Sequence, residues 1–152
     1  MFITACDPDD PGALPLLEEL SAALAAITGD SGQASFAAAD ARGPRSLFVV
    51  ALEIDGSLLG CAALRPLDST VGEVKRMYAR PGTAGVGAAL LAHLEQAALE
   101  FGYRSLWLET RRVNSRALRF YARHGYVPIA PYGKYIGRPE AVCLGKALQQ
   151  GD

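Results

Sequence analysis

Cysteine and histidine are scarce in this sequence, which has three Cys and two His among 152 residues. Cys6, Cys61 and Cys143 are odd in number and far apart, and no two of them have the Cys-x-x-Cys spacing of a metal or redox motif. With only His93 and His124 as further soft ligands, a metal site is not expected. The three thiols are predicted to be structural, because unpaired cysteine is usually buried.

An excess of charge of one sign and long apolar runs are also missing. The 15 basic and 16 acidic side chains nearly cancel and no basic block stands out, which argues against a nucleic-acid-binding protein. No window approaches the roughly 20 apolar residues of a membrane span. Residues 1–10 lack the basic segment and apolar run of a secretion signal. The sequence therefore predicts a soluble cytoplasmic protein with neither nucleic acid nor membrane as a partner.

Repeats, low-complexity tracts and linkers are absent from the sequence as well. Half of the residues are hydrophobic, and 152 residues are the length of one ordinary domain that can bury a real core. We therefore predict a single domain over residues 1–152.

Strand and helix patterns alternate along the chain, as judged from hydrophobic periodicity, caps and turn residues. The first predicted elements are a strand at 1–5, an amphipathic helix from Leu14 that ends at Gly29, one short helix within 30–45, and two strands at 46–54 and 57–67 joined by a two-residue Asp55-Gly56 turn. A strand at 72–80, a helix from Pro81 to Gly102 and a strand at 103–110 follow. The last elements are a helix that begins at the Asn114 cap and ends at Gly125, and strands at 126–130 and 140–148.

The stretch MYARPGTAGVGAALLAHLEQAAL, residues 77–99, begins as a strand, breaks at 80–82 and continues as a helix. Gly85 and Gly87 each cost about 1 kcal/mol relative to alanine within a helix. Helix N-termini bind anions through unpaired N–H groups, and glycine lets a phosphate approach them closely. The Lys and Ser/Thr of a Walker loop are missing after Gly87, and a dinucleotide fingerprint is only partly matched. A glycine turn that serves only packing remains an alternative.

Residues 46–148 resemble the GNAT superfamily of acyl-CoA-dependent N-acetyltransferases. The resemblance rests on EVKRMYARPGTAGVGAALL, on LWLET about 20 residues later, and on NSRALRFYARHGY, which occur in the family's order and spacing. It implies a mixed α/β fold whose central sheet of six to seven strands is largely antiparallel, splayed at the cofactor site and flanked by about four helices. It also implies acetyl-CoA as the acyl donor and no metal.

The resemblance implies a cofactor site built from three segments. The strand before the loop would offer backbone groups to the pantetheine arm, the loop amides would hold the pyrophosphate, and the cap of the following helix would touch the arm. The loop departs from the family pattern, because Gly82 replaces an Arg or Gln and the stretch after Pro81 is two residues short; Arg80 is a candidate for the missing charge. The implied cofactor residues are Met77, Tyr78, Ala79, Gly85, Val86, Gly87, Ala88, Ala89, Asn114 and Tyr121.

Acetyl transfer to an amine requires a neutral nucleophile, a polarised thioester carbonyl and a proton for the departing thiolate. The resemblance implies Tyr121 as the proton donor beside the cofactor sulfur, and a phenol with a pKa near 10 is a credible donor to a thiolate with a pKa of about 8.5. The alternative for Tyr121 is a core aromatic.

Two glutamates are candidates for the base. Glu73 is the first, because strand alternation would place it on the same face as Met77, with Lys75 between them. An exposed strand-end carboxylate paired with Lys75 or Arg76 is the alternative. Glu109, at the end of LWLET, is the second candidate carboxylate.

The acceptor pocket is expected to contain cations and aromatic side chains that suit an amine with a carboxylate. We expect transfer from acetyl-CoA to the primary amine of a small molecule, such as an amino acid, by direct attack in a ternary complex. The alternative is a non-catalytic acyl-CoA-binding regulatory module, and a homodimer is left open. The candidate acceptor-binding residues are Arg76, Glu109, Arg111, Arg112, Tyr132, Lys134, Tyr135 and Arg138.

Overall fold

A computed structural model of the chain describes residues 1–149. The strands and helices are β1 (Phe2–Ala5), α1 (Leu14–Thr28), β2 (Leu47–Leu52), β3 (Leu58–Pro66), β4 (Val71–Ala79), α2 (Val86–Glu100), β5 (Ser105–Arg111), α3 (Ser115–Arg123), β6 (Val127–Pro128) and β7 (Ala141–Ala147). Short 3-10 helices occur at Gln33–Ser35, Ala38–Ala41 and Gly133–Tyr135.

The order of elements matches the sequence prediction, with local differences. The segment 30–45 holds two short 3-10 helices instead of one helix, and residues 1–149 contain three α-helices where about four were expected. The connection between β2 and β3 is a five-residue loop at 53–57, and the prediction of a two-residue turn was wrong. Within this loop the Gly56 amide donates a hydrogen bond to the Glu53 carbonyl at 2.9 Å. Gly56 has a φ of 89°, a conformation that favours glycine.

The seven strands form one mixed sheet in the order β1-β2-β3-β4-β5-β7-β6. All neighbouring strands are antiparallel except β4 and β5, which are parallel. This parallel pairing covers only three residue pairs, from Val71 with Ser105 to Glu73 with Trp107. Beyond Trp107 the two strands separate, so the largely antiparallel, splayed sheet expected from the sequence is confirmed.

Helices cover both faces of the sheet, and strand alternation divides the core accordingly. In β2, Val49 and Ala51 pack in the cluster with α2 and α3, whereas Phe48 and Val50 pack with α1. Leu90 and Leu94 of α2 are fully buried. Burial of a leucine contributes about 1.5–3 kcal/mol, so this face fixes α2, and with it the loop before it, against the sheet.

Strand β4 contains a bulge that changes which side chains share a face. Ala63 pairs with Lys75, but Cys61, two residues earlier, pairs with Tyr78, so β4 has one extra residue here. Arg76 takes a φ of 52° at this point. As a result Met77 packs with the α2-side cluster, and the expectation that it shares a face with Glu73 was wrong.

Three smaller expectations concern the thiols, metal ligands and membrane segments. Cys61 and Cys143 are buried and Cys6 is half-buried, all as free thiols. Residues 1–149 contain no group of three or more His, Cys, Asp or Glu that could hold a metal ion. In the same residues no helix is both long enough and apolar enough to cross a bilayer.

Candidate active site

The separation of β4 from β5 leaves a wedge-shaped opening at the centre of the sheet. A cavity of about 220 Å³ occupies it, bounded by both strands, the start of α3, the end of α1 and two loops. Because β4 has no partner strand on this edge beyond Glu73, its backbone is available to an extended ligand, much as an edge strand accepts a peptide. The lining residues are Leu20, Leu24, Thr28, Asp30, Gly32, Ala34, Ser35, Val74, Lys75, Arg76, Met77, Leu108, Glu109, Thr110, Arg111, Asn114, Ala117, Tyr121, Lys134, Tyr135 and Arg138.

The N-terminus of α2 presents free amides close to α3, which itself lines the cavity. Gly85 is the N-cap, with a φ of 73°, and the first helical hydrogen bond runs from the Ala89 amide to the Gly85 carbonyl at 3.0 Å. The amides of Val86, Gly87 and Ala88 therefore have no partner within residues 1–149. The Val86 side chain is buried, so the helix start is held rigidly. This arrangement suits a phosphate group.

Gly87 has a packing role, as the alternative interpretation of the glycine turn proposed. A Cβ atom at this position would lie 3.2 Å from Cε1 and Cζ of Phe120 in α3. A Cβ atom on Gly85 would meet no atom within 4 Å. Gly87 therefore lets α3 approach α2 closely, whereas Gly85 provides the left-handed turn and open space at the helix start.

Arg80 and Tyr78 direct their side chains away from the loop. The guanidinium of Arg80 makes two hydrogen bonds with Glu19 of α1, at 2.7 and 3.0 Å, and a third with the Leu58 carbonyl at 2.9 Å. The Tyr78 hydroxyl donates to the same carboxylate at 3.1 Å. These contacts hold the pKa of Glu19 below its usual value, chiefly through Arg80. Arg80 is thus already paired and does not replace the missing loop charge.

Tyr121 and Asn114 of the α3 region both line the cavity. The Asn114 side chain accepts a hydrogen bond from the Ala117 amide at 3.2 Å, which confirms the predicted helix cap. Tyr121 is 7% exposed, and its hydroxyl makes no hydrogen bond with residues 1–149. Burial raises the pKa of this phenol above 10, so it keeps its proton near neutral pH.

Glu109 is one of two carboxylates that line the cavity, and the other, Asp30, is paired with Arg111. Its side chain is 13% exposed, and its Oε2 atom is buried without a hydrogen-bond partner in the described part of the chain. The nearest cation is Arg111, whose Nε lies 3.7 Å from that oxygen. Burial raises the pKa of Glu109 above its usual 4.5, and Arg111 opposes this only in part. An unpartnered buried carboxylate of this kind can accept a proton from a bound ligand.

Glu73, the other candidate base, lies outside the cavity lining. It is 3% exposed, so the alternative of an exposed strand-end carboxylate was wrong about exposure, whereas the local pairing with Lys75 that it included was confirmed. Its Oε2 accepts a hydrogen bond from the Tyr132 hydroxyl at 2.6 Å and lies 3.7 Å from Lys75 Nζ. Its Oε1 lies 3.7 Å from Arg65 Nε. The carboxylate of Glu73 is therefore enclosed by three side chains of the protein.

The cavity places its acid and base candidates on opposite faces of the sheet. Tyr121 belongs to the cluster beneath α2 and α3, as do Leu106 and Leu108 of β5. Because side chains alternate along a strand, Glu109 points to the α1 face. Cys143, the residue paired with Glu109 in β7, packs in a separate cluster on that side.

Two walls of the cavity could not be found from local sequence patterns. Leu20 and Leu24 at the end of α1 and the loop at 30–35 enclose it, although they are distant in sequence from β4 and β5. The contact of Arg111 Nη2 with Asp30 Oδ2 at 2.9 Å joins residues 81 positions apart. The only local signal was the polar, glycine-rich composition of 30–35, which indicates a loop but no ligand.

The comparisons with known proteins agree with this architecture. The sequence model of the Acetyltransferase (GNAT) family matches residues 13–126. The chain is 32% identical over 108 residues to an IAA acetyltransferase of Azospirillum brasilense, covering 69% of this chain and 70% of that protein. It is 35% identical over 111 residues to the uncharacterized N-acetyltransferase YsnE of Bacillus subtilis, and the match covers 70% of this chain and 73% of that protein.

A solved structure of a proposed acyl-CoA N-acyltransferase from Klebsiella pneumoniae has a TM-score of 0.81 at 25% identity, and the match covers 97% of each chain. The chain therefore belongs to the GNAT family of acetyltransferases. This membership makes it an acyltransferase.

Proposed function

We propose that this protein transfers an acetyl group from acetyl-CoA to the primary amine of a small molecule, by direct attack within a ternary complex. Glu109 supports this assignment most directly, because its buried Oε2 has no hydrogen-bond partner in residues 1–149 and the residue lines a cavity of about 220 Å³. A cavity of this size suits a small acceptor, with the amine against Glu109.

The cosubstrate would enter along the open edge of β4. The free amides at the start of α2, at Val86, Gly87 and Ala88, would receive the pyrophosphate, and the Ala89 amide completes that first turn. The backbone of Met77, Tyr78 and Ala79, which has no strand on its β5 side, would receive the pantetheine arm. Asn114, at the start of α3, would lie along the same arm.

In the proposed reaction the amine attacks the thioester carbon while Glu109 takes its proton, directly or through a water molecule. The new N–C bond forms, the C–S bond breaks, and Tyr121 gives a proton to the departing thiolate. Placement of these two groups on opposite faces of the sheet suits this chemistry, because the nucleophile arrives from one side and the thiolate leaves to the other. Glu73, which three side chains enclose, is not assigned as the base.

The experiment that tests the proposal measures release of free CoA thiol from acetyl-CoA with a panel of small amines. The matched variant is Tyr121→Phe, which keeps the ring and removes only the hydroxyl. We expect amine-dependent turnover in the wild type and a 10²- to 10⁴-fold loss of kcat in the variant, with the KM for acetyl-CoA unchanged. Binding of acetyl-CoA without turnover across the panel would instead favour a regulatory module, and a variant with wild-type kcat would remove Tyr121 from the mechanism.

A further inference from the structure

The cavity is lined by more cations than carboxylates, and the cations differ in whether the protein already neutralises them. Arg76 donates to Ser21 Oγ at 2.6 Å and to two backbone carbonyls at 3.2 Å. Arg111 pairs with Asp30. Lys75 Nζ donates to the Tyr135 hydroxyl at 2.9 Å. These three strand residues are therefore engaged with the protein.

Lys134 and Arg138 are different. Both are exposed and line the cavity, and neither side chain forms a hydrogen bond or ion pair within residues 1–149. They lie on the segment at 130–140 between β6 and β7, which we call the acceptor loop. Two uncompensated positive charges at one wall of a small cavity attract an anionic group.

The carboxylate of the cavity that lacks a hydrogen bond belongs to Glu109, on β5, and its Oε2 lies 3.7 Å from Arg111 Nε. The cavity thus has a carboxylate without a hydrogen bond at Oε2 at one wall and, within residues 1–149, two cations without an ion pair at another, whereas Arg111 lies 2.9 Å from Asp30 and 3.7 Å from Glu109. A ligand that carries an amine and an anionic group complements this distribution of charge. Lys134 is near enough to Glu109 to counteract, in part, the rise in the pKa of that carboxyl.

The acceptor loop is fastened to the sheet by two tyrosines. Tyr132 donates to Glu73 at 2.6 Å and its ring lies 5.2 Å from that of Trp107. Tyr135 is 7% exposed and accepts a hydrogen bond from Lys75. Glu73 and Lys75 lie two residues apart on one face of β4, before the bulge, so a single strand segment holds both tyrosines. Lys134 and Arg138 are thereby presented to the cavity from a fixed support.

We propose that Lys134 and Arg138 bind an anionic group of the acceptor whose amine faces Glu109, and that Glu73 is a positioning residue that holds the acceptor loop through Tyr132. This inference rests on the proposed function, and it assigns selectivity to the loop instead of to the strand arginines Arg76 and Arg111. A carboxylate and a phosphate share the required chemistry.

The first experiment compares acceptors that differ only in charge. Acetyl transfer is measured with L-amino acids, with the corresponding amino acid amides, and with phosphoethanolamine as the phosphate arm. We expect kcat/KM for the best anionic amine to exceed that of its uncharged counterpart at least tenfold. In a Lys134→Met, Arg138→Met double variant, KM for the anionic amine should rise about 10- to 100-fold, as expected for loss of charge-assisted hydrogen bonds. KM for the amide and for acetyl-CoA should change less than about twofold.

Arg104→Met serves as the control. Arg104 is exposed and precedes the first residue of β5, whereas Glu109 lies near the last, so this substitution should leave every kinetic constant unchanged. Equal changes for the charged and uncharged acceptors, or no anionic preference in the wild type, would overturn the inference while leaving the proposed function in place. Failure of every amine to react would overturn both. Whichever anionic arm is preferred identifies the group as carboxylate or phosphate.

The second experiment separates positioning from catalysis at Glu73. A glutamine there keeps an oxygen that can accept from Tyr132 but cannot act as a base. In Tyr132→Phe we expect KM for the anionic amine to rise about 3- to 30-fold, and in Glu73→Gln, which keeps a weaker hydrogen bond, we expect a smaller rise. In both variants kcat should fall less than tenfold and the pH profile of kcat should match the wild type. If kcat instead falls by two orders of magnitude or more and the ascending limb of the profile is lost, Glu73 is the base and the positioning role is overturned.

Discussion

Burial raises the pKa of both Glu109 and Tyr121, with a different chemical consequence for each. For Glu109 it strengthens the carboxylate as a proton acceptor near neutral pH. For Tyr121 it keeps the phenol protonated until a thiolate forms beside it. One physical cause, removal of each charged form from water, thus makes Glu109 a stronger base and Tyr121 a weaker acid that carries its proton near neutral pH.

The first prediction at the residue scale concerns the pH dependence of turnover. If Glu109 is the base, kcat should rise with pH as its carboxyl loses a proton, at a pH above the usual 4.5. Glu109→Gln should lower kcat about 10²- to 10⁴-fold and remove this limb, while any rise caused by deprotonation of the free amine stays in both proteins. A wild-type profile in the variant, measured at saturating acetyl-CoA, would exclude Glu109 as the base.

Glu109→Gln should lower kcat but raise the stability of the protein above the pH range in which Glu109 loses its proton. Since the folded-state pKa of Glu109 is raised, the folded protein binds the proton more tightly, and the free energy of unfolding falls as pH rises from about 4.5 through the folded pKa. Glutamine carries no charge, so Glu109→Gln should unfold at a higher temperature than the wild type above this range and at a similar one below it. Thermal scans at several pH values test this.

At the scale of elements, the first turn of α2 packs against α3 and is also the proposed binding site of a phosphate group. The sequence suggested that its glycines serve a phosphate, but Gly87 also accommodates the ring of Phe120. Gly85, with a φ of 73° and free space around its Cβ position, agrees better with a role in the ligand loop. The two glycines, only two residues apart, therefore act through different contacts.

We expect Gly87→Val to destabilise the ligand-free protein by about 1–3 kcal/mol, because the new side chain would be packed too closely against Phe120. Urea denaturation measures the change. The matched controls are Phe120→Leu alone and the double variant Gly87→Val, Phe120→Leu. Since leucine is smaller than phenylalanine, the double variant should recover part of the lost stability in a double-mutant cycle. If Gly87→Val leaves the stability unchanged and weakens only the binding of acetyl-CoA, the packing role is wrong.

At the scale of the whole molecule, the wedge between β4 and β5 separates the sheet into two parts joined there by three residue pairs. A ligand that fills the wedge would link the β4 edge, the start of α2 and α3. Acetyl-CoA at 100 times its dissociation constant should add about 2.7 kcal/mol to the free energy of unfolding. For a chain of this length, that corresponds to a rise in Tm of roughly 5–10 °C.

Thermal scans with acetyl-CoA, and with ATP as a phosphate-bearing control, test this expectation. ATP lacks the pantetheine arm, so it should raise Tm much less at the same concentration. A Tm that saturating acetyl-CoA does not move would contradict the cosubstrate site proposed here.

Much of the fold could be predicted because its signals are local. The apolar spacing of α1, the Asn114 cap and the glycines after α1 and α3 each act within a few residues, and these elements lie where they were expected. The bulge at Arg76 could not be predicted, because it arises from the pairing of β4 with β3. It changed the side-chain alternation on which the choice of Glu73 as the base depended.

The candidate site shows the same division. Tyr121, Asn114 and Glu109 were identified from their motifs, and all three line the cavity. The sequence by itself determined the strand order along the chain, the loop before α2 and the residue types available for acyl transfer, since these depend on neighbours along the chain. Only the tertiary structure decided which carboxylate lacks a hydrogen bond and which is enclosed, because that depends on partners such as Tyr132 that lie 59 positions from Glu73 in sequence.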